Sequence, residues 1–341
     1  MSWFNTEGKC PHHYVWSKTR YVRNPAKLPF SSTEGEKYAE LCDKLDALLT
    51  QNGFRKEIIQ KGKSPEVCAF AEKQFTDEDF IGRDNQRALY FNEPCNLIVA
   101  IGGKNMISIQ SILPGCALSE TQNIATGAEE LIDSEIELAY SEKYGYLSPD
   151  PSECGSGTVY SAALYLPALR YTGQIERFRL LCRGAGVELA PFYLEGHGMG
   201  DLFTASTKAS FFLRESEGRA RFEAICEKLV QNEKSTERMI FKDKSKLIID
   251  KAWRAYGVLR YARRMDEAEM LSLLSDIRLA LTVVEKTEDL PPVTLVLLNS
   301  LLADGLNASV ITAKLPLCQN EEECLTSRAA LTASRLQTAS S

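Results

Sequence analysis

Two hydrophobic patterns divide the chain. Before residue 214, short apolar runs of strand length alternate with a few stretches of helical periodicity, whereas after it only helical periodicity remains. Leucines from Leu41 to Leu49 recur at helical spacing, which predicts a helix that opens at a Ser32 capping box and ends at Gly53. The pattern predicts an α+β domain at residues 1–234 followed by an all-α domain at residues 235–341.

The β-rich runs lie between residues 87 and 212. Gly102-Gly103-Lys104-Asn105 separates two of them and has the composition of a hairpin turn. The predicted strands are Arg87–Phe91, Asn96–Ile101, Met106–Leu113, Val187–Leu194 and Leu202–Phe212, and the apolar run Tyr160–Tyr171 is open to either strand or helix. The further predicted helices are 65–75, 119–140, 173–182, 217–233, 237–264, 266–284, 292–306 and 320–337.

Two apolar surfaces of the helical part need a partner. The stripe from Leu271 to Val284 fits an intrachain core, because a helix in a bundle needs one such face. The run Val293–Leu302 is apolar around most of a helix, which predicts burial on several sides and hence a subunit interface.

Composition excludes several classes of protein. Hydrophobic residues make up 44% and charged residues 25% of 341 residues, as in ordinary globular proteins. The net charge of −6 argues against nucleic acid as the main partner. No apolar run reaches membrane-spanning length, the first residues lack signal-peptide character, and ten cysteines occur without a C-x-x-C pair. We therefore expect a cytoplasmic protein with reduced, mostly buried thiols and no membrane contact.

Several features could carry chemistry, and each has a plain structural alternative. Residues 145–157 contain prolines, acids and the permissive pair Gly155 and Gly157, which fits either a ligand loop or a turn. Lys18 and Arg20 would share one face of a strand, as an anion clamp or as charges protecting a sheet edge. Five basic residues between 251 and 264 fit a phosphate patch or a solvated helix face. Ligand-type side chains at 10, 12 and 13 lack a second pair, so we predict no metal site.

Three motifs together indicate a family. Residues 16–24 with 28–30 match S-S-R-x-R-x-x-R-N…F-P-F, and residues 107–110 with 113–115 match I-R-I-Q…F-P-G. Residues 144–157 with 166–169 match G-Y-L-T-x-C-P-T-N-x-G-T-G…L-P-A-L. The chain resembles the ATP:guanido phosphotransferases, and among them the bacterial protein-arginine kinases of the McsB type, whose C-terminal helices match residues 257–259, 274–279 and 328–331.

The resemblance implies a fold, a reaction and partners. The implied fold is a guanido kinase-like α+β domain, an antiparallel sheet flanked by helices, followed by an α-helical domain used for homodimerisation. The implied reaction transfers the γ-phosphoryl group of ATP, with Mg, to the guanidinium of an arginine-containing protein substrate. Arginines would neutralise the triphosphate, an acid pair would hold and deprotonate the guanidinium, and a loop cysteine would help to orient it.

The charged positions of the family pattern are largely replaced. Lys18 stands in for the first clamp arginine, while Arg20 and Arg23 keep theirs. Ser108 and Ala190 replace two further arginines, and Lys208 is a partial substitute for a third. The cofactor-binding candidates are the remaining basic residues of the pattern and two loop glycines: Lys18, Arg20, Arg23, Lys208, Gly155 and Gly157.

The acidic groups have also changed position. The N-E-E-D-H turn of the family reads Gly102–Met106 here, so both carboxylates are missing. Asp150 occupies the cysteine position, and Cys154 lies four residues beyond it. The candidate catalytic residues are therefore Glu195, which the family pattern retains, and the loop acids Asp150 and Glu153, which could replace the lost pair.

Loss of one preorganised transition-state donor typically lowers a rate by ~10²–10³. The leading hypothesis is therefore a catalytically weak or pseudokinase-like regulator that binds ATP poorly. The alternatives are an active ATP-dependent protein-arginine kinase with a rewired site, and a structural dimerisation partner. An activator protein could supply missing arginines in trans.

Overall fold

The computed structural model describes residues 4–30, 35–59, 87–192, 200–208, 215–305 and 321–338. The helix predicted at 65–75, the capping box at Ser32 and the candidate Glu195 lie outside these residues. Within the described part of the chain, no helix is long and apolar enough to cross a membrane.

The described residues contain ten strands, in one large and one small antiparallel arrangement. The large sheet has eight strands in the order β2-β3-β4-β5-β1-β8-β10-β9, and β6 pairs with β7. The strands are β1 Tyr14–Arg23, β2 Arg55–Ile59, β3 Arg87–Phe91, β4 Leu97–Ile101, β5 Ile107–Pro114, β6 Tyr140–Ser141, β7 Gly145–Tyr146, β8 Thr158–Tyr165, β9 Val187–Pro191 and β10 Leu202–Thr207. β1 runs antiparallel to β5, with Trp16 opposite Pro114 and Arg23 opposite Ile107.

Nine α-helices lie in the described residues. They are α1 Glu36–Gln51, α2 Leu118–Asp133, α3 Pro167–Tyr171, α4 Ile175–Gly184, α5 Glu215–Phe241, α6 Ser245–Tyr261, α7 Glu267–Val283, α8 Leu295–Gly305 and α9 Glu321–Thr338. Short 3-10 helices occur at Pro151–Glu153 and Thr287–Asp289. An antiparallel sheet flanked by helices, followed by helices alone, confirms the predicted fold class.

Most predicted elements are present, and three differ for physical reasons. The helix predicted to reach residue 140 ends at Asp133, because the chain beyond it is extended and Ala139 N donates to Asn24 O. The ambiguous run Tyr160–Tyr171 is a strand and then a helix, divided at Leu166 because Pro167 favours the first turn of a helix. The helices predicted at 217–233 and at 237 onward are joined into the 27-residue α5.

Clustering of contacts divides the chain into two compact units. Unit 1 is residues 1–3, 16–161 and 206–224, and unit 2 is residues 4–15, 162–205 and 225–341. The core of unit 1 includes Leu45, Val99, Ile107 and Ile132, each fully or almost fully buried. A core of unit 2 includes Ala168, Ile248, Ala252 and Ala280. The domain limits predicted at residues 234 and 235 lie inside α5, and that division remains a prediction.

The burial of α8 corrects one argument from sequence. Leu295, Leu298, Leu301 and Leu302 are all buried within a single chain. Helices of the same chain cover most of this run, so its burial does not require a second subunit, and the subunit interface stays a prediction. The stripe that includes Leu271, Leu274 and Ile277 is intrachain core, as predicted.

The cysteines differ in part from the expected set of reduced, mostly buried thiols. Cys324 in α9 is disulfide-bonded, so not every thiol is reduced. Seven described cysteines are free, but only Cys154, Cys182 and Cys226 among them are buried.

Candidate active site

The turn between β4 and β5 meets the loop that leads from β7 to β8. Both belong to unit 1. Gly102 begins the turn with φ of +94°, a conformation that favours glycine, and a Cβ there would lie 3.2 Å from Cγ of Arg87. The turn thus brings Lys104 and Asn105 to the loop that contains Asp150 and Glu153.

Lys104 holds both loop acids. Its Nζ lies 2.9 Å from Asp150 Oδ2 and 3.4 Å from Glu153 Oε1. The side chains of Lys104, Asp150 and Glu153 are 38%, 34% and 29% exposed, so the three charges lie at the surface, where solvent can reach them. The two acids predicted to face a guanidinium thus converge on one cation of the same chain.

Neutral side chains fix the turn against the loop. Asn105 Nδ2 donates to Glu153 Oε2 at 2.7 Å, and Asn24 Nδ2 donates to Asn105 Oδ1 and to Leu147 O, each at 3.0 Å. Asn24 Oδ1 accepts from Met106 N at 2.9 Å. Asn24 follows directly on β1, so the end of this strand anchors both the turn and the loop.

The ion pair between Lys104 and Asp150 keeps these two groups charged at neutral pH. The ammonium of Lys104, with smaller contributions from the hydroxyl and N–H of Ser152, lowers the pKa of Asp150 to about 2. The hydrogen bond to Asp150 is the main cause that raises the pKa of Lys104. Asp150 is therefore ionised near pH 7 and is a weaker base while Lys104 is in place.

Cys154 returns to the start of the loop. The 3-10 helix Pro151–Glu153 reverses the chain, so that Ser148 N donates to Cys154 Sγ at 3.3 Å. The thiol is buried and lies 3.8 Å from Asp150 O. The fold therefore places a cysteine beside the position that Asp150 has taken over, although the two are four residues apart in sequence.

Arg23 is fully buried and makes several contacts within unit 1. Its Nε donates to Glu129 Oε1 at 2.5 Å, and its guanidinium lies 3.6 Å from the ring centre of Tyr146. Its NH1 also donates to the carbonyls of Val22, Ser156 and Gly157. Arg23 therefore has a structural role, because its contacts connect the end of β1 to α2 and to the loop that contains Gly157.

The loop glycines allow the chain to approach itself. A side chain at Gly145 would collide with the backbone of Gly155, to which Tyr146 is paired by two backbone hydrogen bonds. At Gly157, with φ of +56°, a Cβ would lie 2.7 Å from Arg23 NH1 and 2.8 Å from Val22 O. Close packing of the protein on itself thus explains why glycine occupies positions 145 and 157, without invoking a ligand.

The remaining cofactor candidates are more open. Lys18 and Arg20 alternate on β1, are half-buried, and face Ile112 and Gln110 of β5 in the register. Lys18 Nζ lies 5.6 Å from the ring centre of Trp16. Lys208 is exposed just beyond β10.

ATP with Mg needs several cations around its phosphates, and the arrangement fits this ligand poorly. Arg23 binds Glu129 through Nε and three carbonyls through NH1, while its buried NH2 has no hydrogen-bond partner. Gly157 lies against protein atoms rather than opening a cradle for phosphate. Among the other cationic candidates in the described residues, Lys18 and Arg20 are half-buried on β1, and Lys208 is exposed.

A second acidic pair lies in unit 2, and sequence analysis did not single it out. Glu233 of α5 is fully buried and accepts hydrogen bonds from Ala168 N at 2.6 Å and Leu169 N at 2.9 Å. Burial raises the pKa of Glu233 and that of Glu237, one turn along α5. His13 Nε2 lies 3.6 Å from Glu237, and burial lowers the pKa of His13 to about 4, so this contact is not an ion pair at neutral pH.

Sequence reasoning missed Lys104 and Asn105 as partners of the loop acids. The signal was present, because a lysine had replaced acids in the turn while acids had entered the loop. A paired exchange of charge between two segments indicates that they touch.

In the described residues, no group of three or more His, Cys, Asp or Glu side chains could hold a metal ion.

Comparison with solved structures supports the fold. The duplicated taurocyamine kinase from Schistosoma mansoni, solved with bound components of a transition state analog, superimposes with a TM-score of 0.58 at 16% identity over 71% of this chain and 37% of that chain. Lombricine kinase superimposes with a TM-score of 0.56 at 13% identity, over 68% of this chain and 69% of that chain. At these identities the likeness concerns the fold alone.

Sequence comparison shows the family. A protein-arginine kinase from Exiguobacterium sp. is 30% identical over 78% of this chain and 77% of its own length. The protein-arginine kinase from Desulforamulus reducens is 27% identical over 81% and 80%. The profile of the ATP:guanido phosphotransferase C-terminal catalytic domain matches residues 34–236, and that of the protein-arginine kinase McsB C-terminal domain matches residues 245–341. The chain therefore belongs to the ATP:guanido phosphotransferase family, among the protein-arginine kinases.

Proposed function

We propose that this chain is a catalytically weak or inactive protein-arginine kinase homologue that works as a regulatory binding module. The observation that carries the proposal is the engagement of Asp150 and Glu153 by Lys104. An acid pair already neutralised by an ammonium of the same chain is poorly placed to hold and deprotonate a guanidinium. The loss of arginines at Ser108 and Ala190 removes donors that would stabilise the transferred phosphoryl group.

Phosphoryl transfer tests this function directly. The purified chain and the Exiguobacterium relative would be incubated with Mg and ATP labelled on the γ-phosphate, with an arginine-rich protein as acceptor. We expect acid-labile phosphoarginine to form at least ~10²–10³ times more slowly with this chain than with the relative. A rate equal to that of the relative would refute the proposal.

Weak nucleotide binding is part of the same proposal. Arg23 is paired with Glu129, and Ser108 and Ala190 stand where the family pattern has arginines, so few cations are present to meet the triphosphate. We expect a Kd for Mg-ATP above ~0.1 mM, equivalent to a binding free energy weaker than about −5.5 kcal/mol. Titration calorimetry at 25 °C measures it, and a low-micromolar Kd would contradict the proposed weak binding.

An active kinase with a rewired site is the second candidate. It is favoured by the demonstrated convergence of Asp150 and Glu153 on one cation, which is the geometry that a guanidinium would need. If the wild-type chain does turn over, Asp150→Asn combined with Glu153→Gln should abolish that activity. Full activity in the double variant would exclude this mechanism.

The proposed partner is a protein that carries exposed arginines, either as a substrate or as a regulated client. An activator that supplies arginines in trans is compatible with this role.

We further propose a cytoplasmic homodimer, for which light scattering of the full chain at tens of micromolar is the test. A monomeric mass at that concentration would exclude the dimer.

A further inference from the structure

We propose that Lys104 is a tethered competitor for the arginine side chain that Asp150 and Glu153 would bind. The chain thereby blocks its own guanidinium-binding site. This inference rests on the proposed role of Asp150 and Glu153 in facing a guanidinium. The carrying observation is that both carboxylates already hold a cation, at 2.9 Å and 3.4 Å from Lys104 Nζ. The competitor is part of the polypeptide and is present at every concentration of protein.

The position of the competitor is fixed by the fold. Asn24 Oδ1 accepts a hydrogen bond from Met106 N, and Asn24 Nδ2 donates one to Asn105 Oδ1. The residues on the carboxyl side of Lys104 are therefore anchored to the end of β1. Asn105 also binds Glu153, which holds the loop in reach of the lysine. A short flexible stem between such anchored backbones gives an effective concentration in the millimolar range.

The ion pairs of Lys104 with Asp150 and Glu153 can open and re-form. All three charged side chains remain about one-third exposed, so water and a ligand can reach them. A guanidinium presents a planar fork that can bind two carboxylates together, whereas an ammonium is a point charge. A protein arginine brought close by other contacts can therefore replace Lys104, while a free guanidinium in solution competes poorly.

Binding of a guanidinium compound in the absence of nucleotide tests the proposal. The probe is N-acetyl-arginine amide, followed by NMR titration of the full chain. We expect Lys104→Met to lower its Kd by about tenfold or more, since only the open fraction of the wild-type site binds. Lys104→Arg, which presents a planar fork from the same position, should raise the Kd above the wild-type value.

Matched variants separate competition from a general change in charge. Lys143→Met removes an exposed lysine that lies over the Tyr144 ring, and it should leave the Kd unchanged. Adding Asp150→Asn and Glu153→Gln to Lys104→Met should reverse the gain. Equal affinity of the wild-type chain and Lys104→Met, or a gain that persists in the triple variant, would overturn the proposal.

The outcome is independent of the phosphoryl-transfer test. If the wild-type chain proves to be an active kinase, the proposed function fails, and the tethered competitor is still judged by binding alone. If transfer is absent and Lys104→Met binds no more tightly, the function stands and the competitor does not.

Discussion

Two acidic pairs in the same chain show opposite electrostatic behaviour. Asp150 and Glu153 of unit 1 lie near the surface, and Lys104 lowers the pKa of Asp150 to about 2. Glu233 and Glu237 of unit 2 are buried, and burial raises the pKa of both. The chemical groups are the same, so the surroundings decide whether a carboxyl carries charge or a proton.

The difference also separates binding from stability. The surface pair can exchange its cation, because neither the lysine nor the acids are enclosed. The buried pair has no such freedom, since the oxygens of Glu233 satisfy two backbone N–H groups at the start of α3. We therefore expect substitutions in unit 2 to act mainly on folding, and substitutions at Lys104 mainly on ligand binding.

The largest expected effect is that of Glu233→Ala. It would leave the N–H groups of Ala168 and Leu169 buried without their acceptor. We expect the free energy of unfolding to fall by about 3 kcal/mol, measured by urea denaturation at pH 6. Glu227→Ala, at an exposed position of the same helix, should change it by less than ~0.5 kcal/mol. Equal effects of the two substitutions would show that Glu233 does not bear this role.

A smaller effect should appear in the pH dependence of stability. Because the folded pKa values of Glu233 and Glu237 are raised, the folded state binds more protons than the unfolded state at neutral pH. Stability should therefore fall by about 1–2 kcal/mol as pH rises from 6.5 to 8.5. Glu237→Gln keeps a neutral side chain at every pH and should flatten this slope, which urea unfolding at several pH values measures.

His13 should produce the opposite slope on the acid side. Its pKa is lowered to about 4, so the unfolded chain binds the proton more readily than the folded chain between pH 6.5 and 4. This term lowers stability as pH falls, while the buried carboxyls act in the other direction. His13→Gln should remove the acid-side loss, and an unchanged profile would contradict the assigned protonation states.

The smallest expected change in stability accompanies Lys104→Met, because a partly exposed ion pair is screened by water. The substitution should instead raise the pKa of Asp150 from about 2 toward its ordinary value near 3.8. Carboxyl NMR titration measures it. Ser152→Ala should raise it less, since Lys104 is the larger cause. A larger rise with Ser152→Ala would reverse the assigned order of causes.

The sequence predicted the elements better than the contacts between them. Alternation and turn composition located β3, β4 and β5 within a residue or so, because those signals are local. Asp150 and Glu153 were recognisable as new acids in the loop, but their partner lies 46 positions from Asp150 along the chain. The ion pair of Arg23 with Glu129 spans 106 positions. Pairings over such distances depend on the folded topology, which periodicity does not encode.

Burial was harder to predict than helicity. The helix α8 was expected from its apolar run, yet the same run was assigned to a subunit interface. Nothing local distinguishes an apolar helix covered by its own chain from one covered by another copy. Glu233 and Glu237 were passed over for the same reason, since a glutamate in a helix is ordinarily exposed.

The place of β1 in the sheet has a consequence for biosynthesis. β1 is synthesised before β5, with which it pairs, and Ser17 and Gly115, which are joined across that pairing, are 98 positions apart. At ~5–20 residues per second, the strand waits on the order of 5–20 s for its partner to be translated. During that interval Val15, Trp16, Tyr21 and Val22, all buried in the finished protein, cannot yet reach their final burial. A strand that waits in this way for its partner is prone to pair with other chains, so the long β1–β5 separation makes synthesis more sensitive to aggregation than the folded state is.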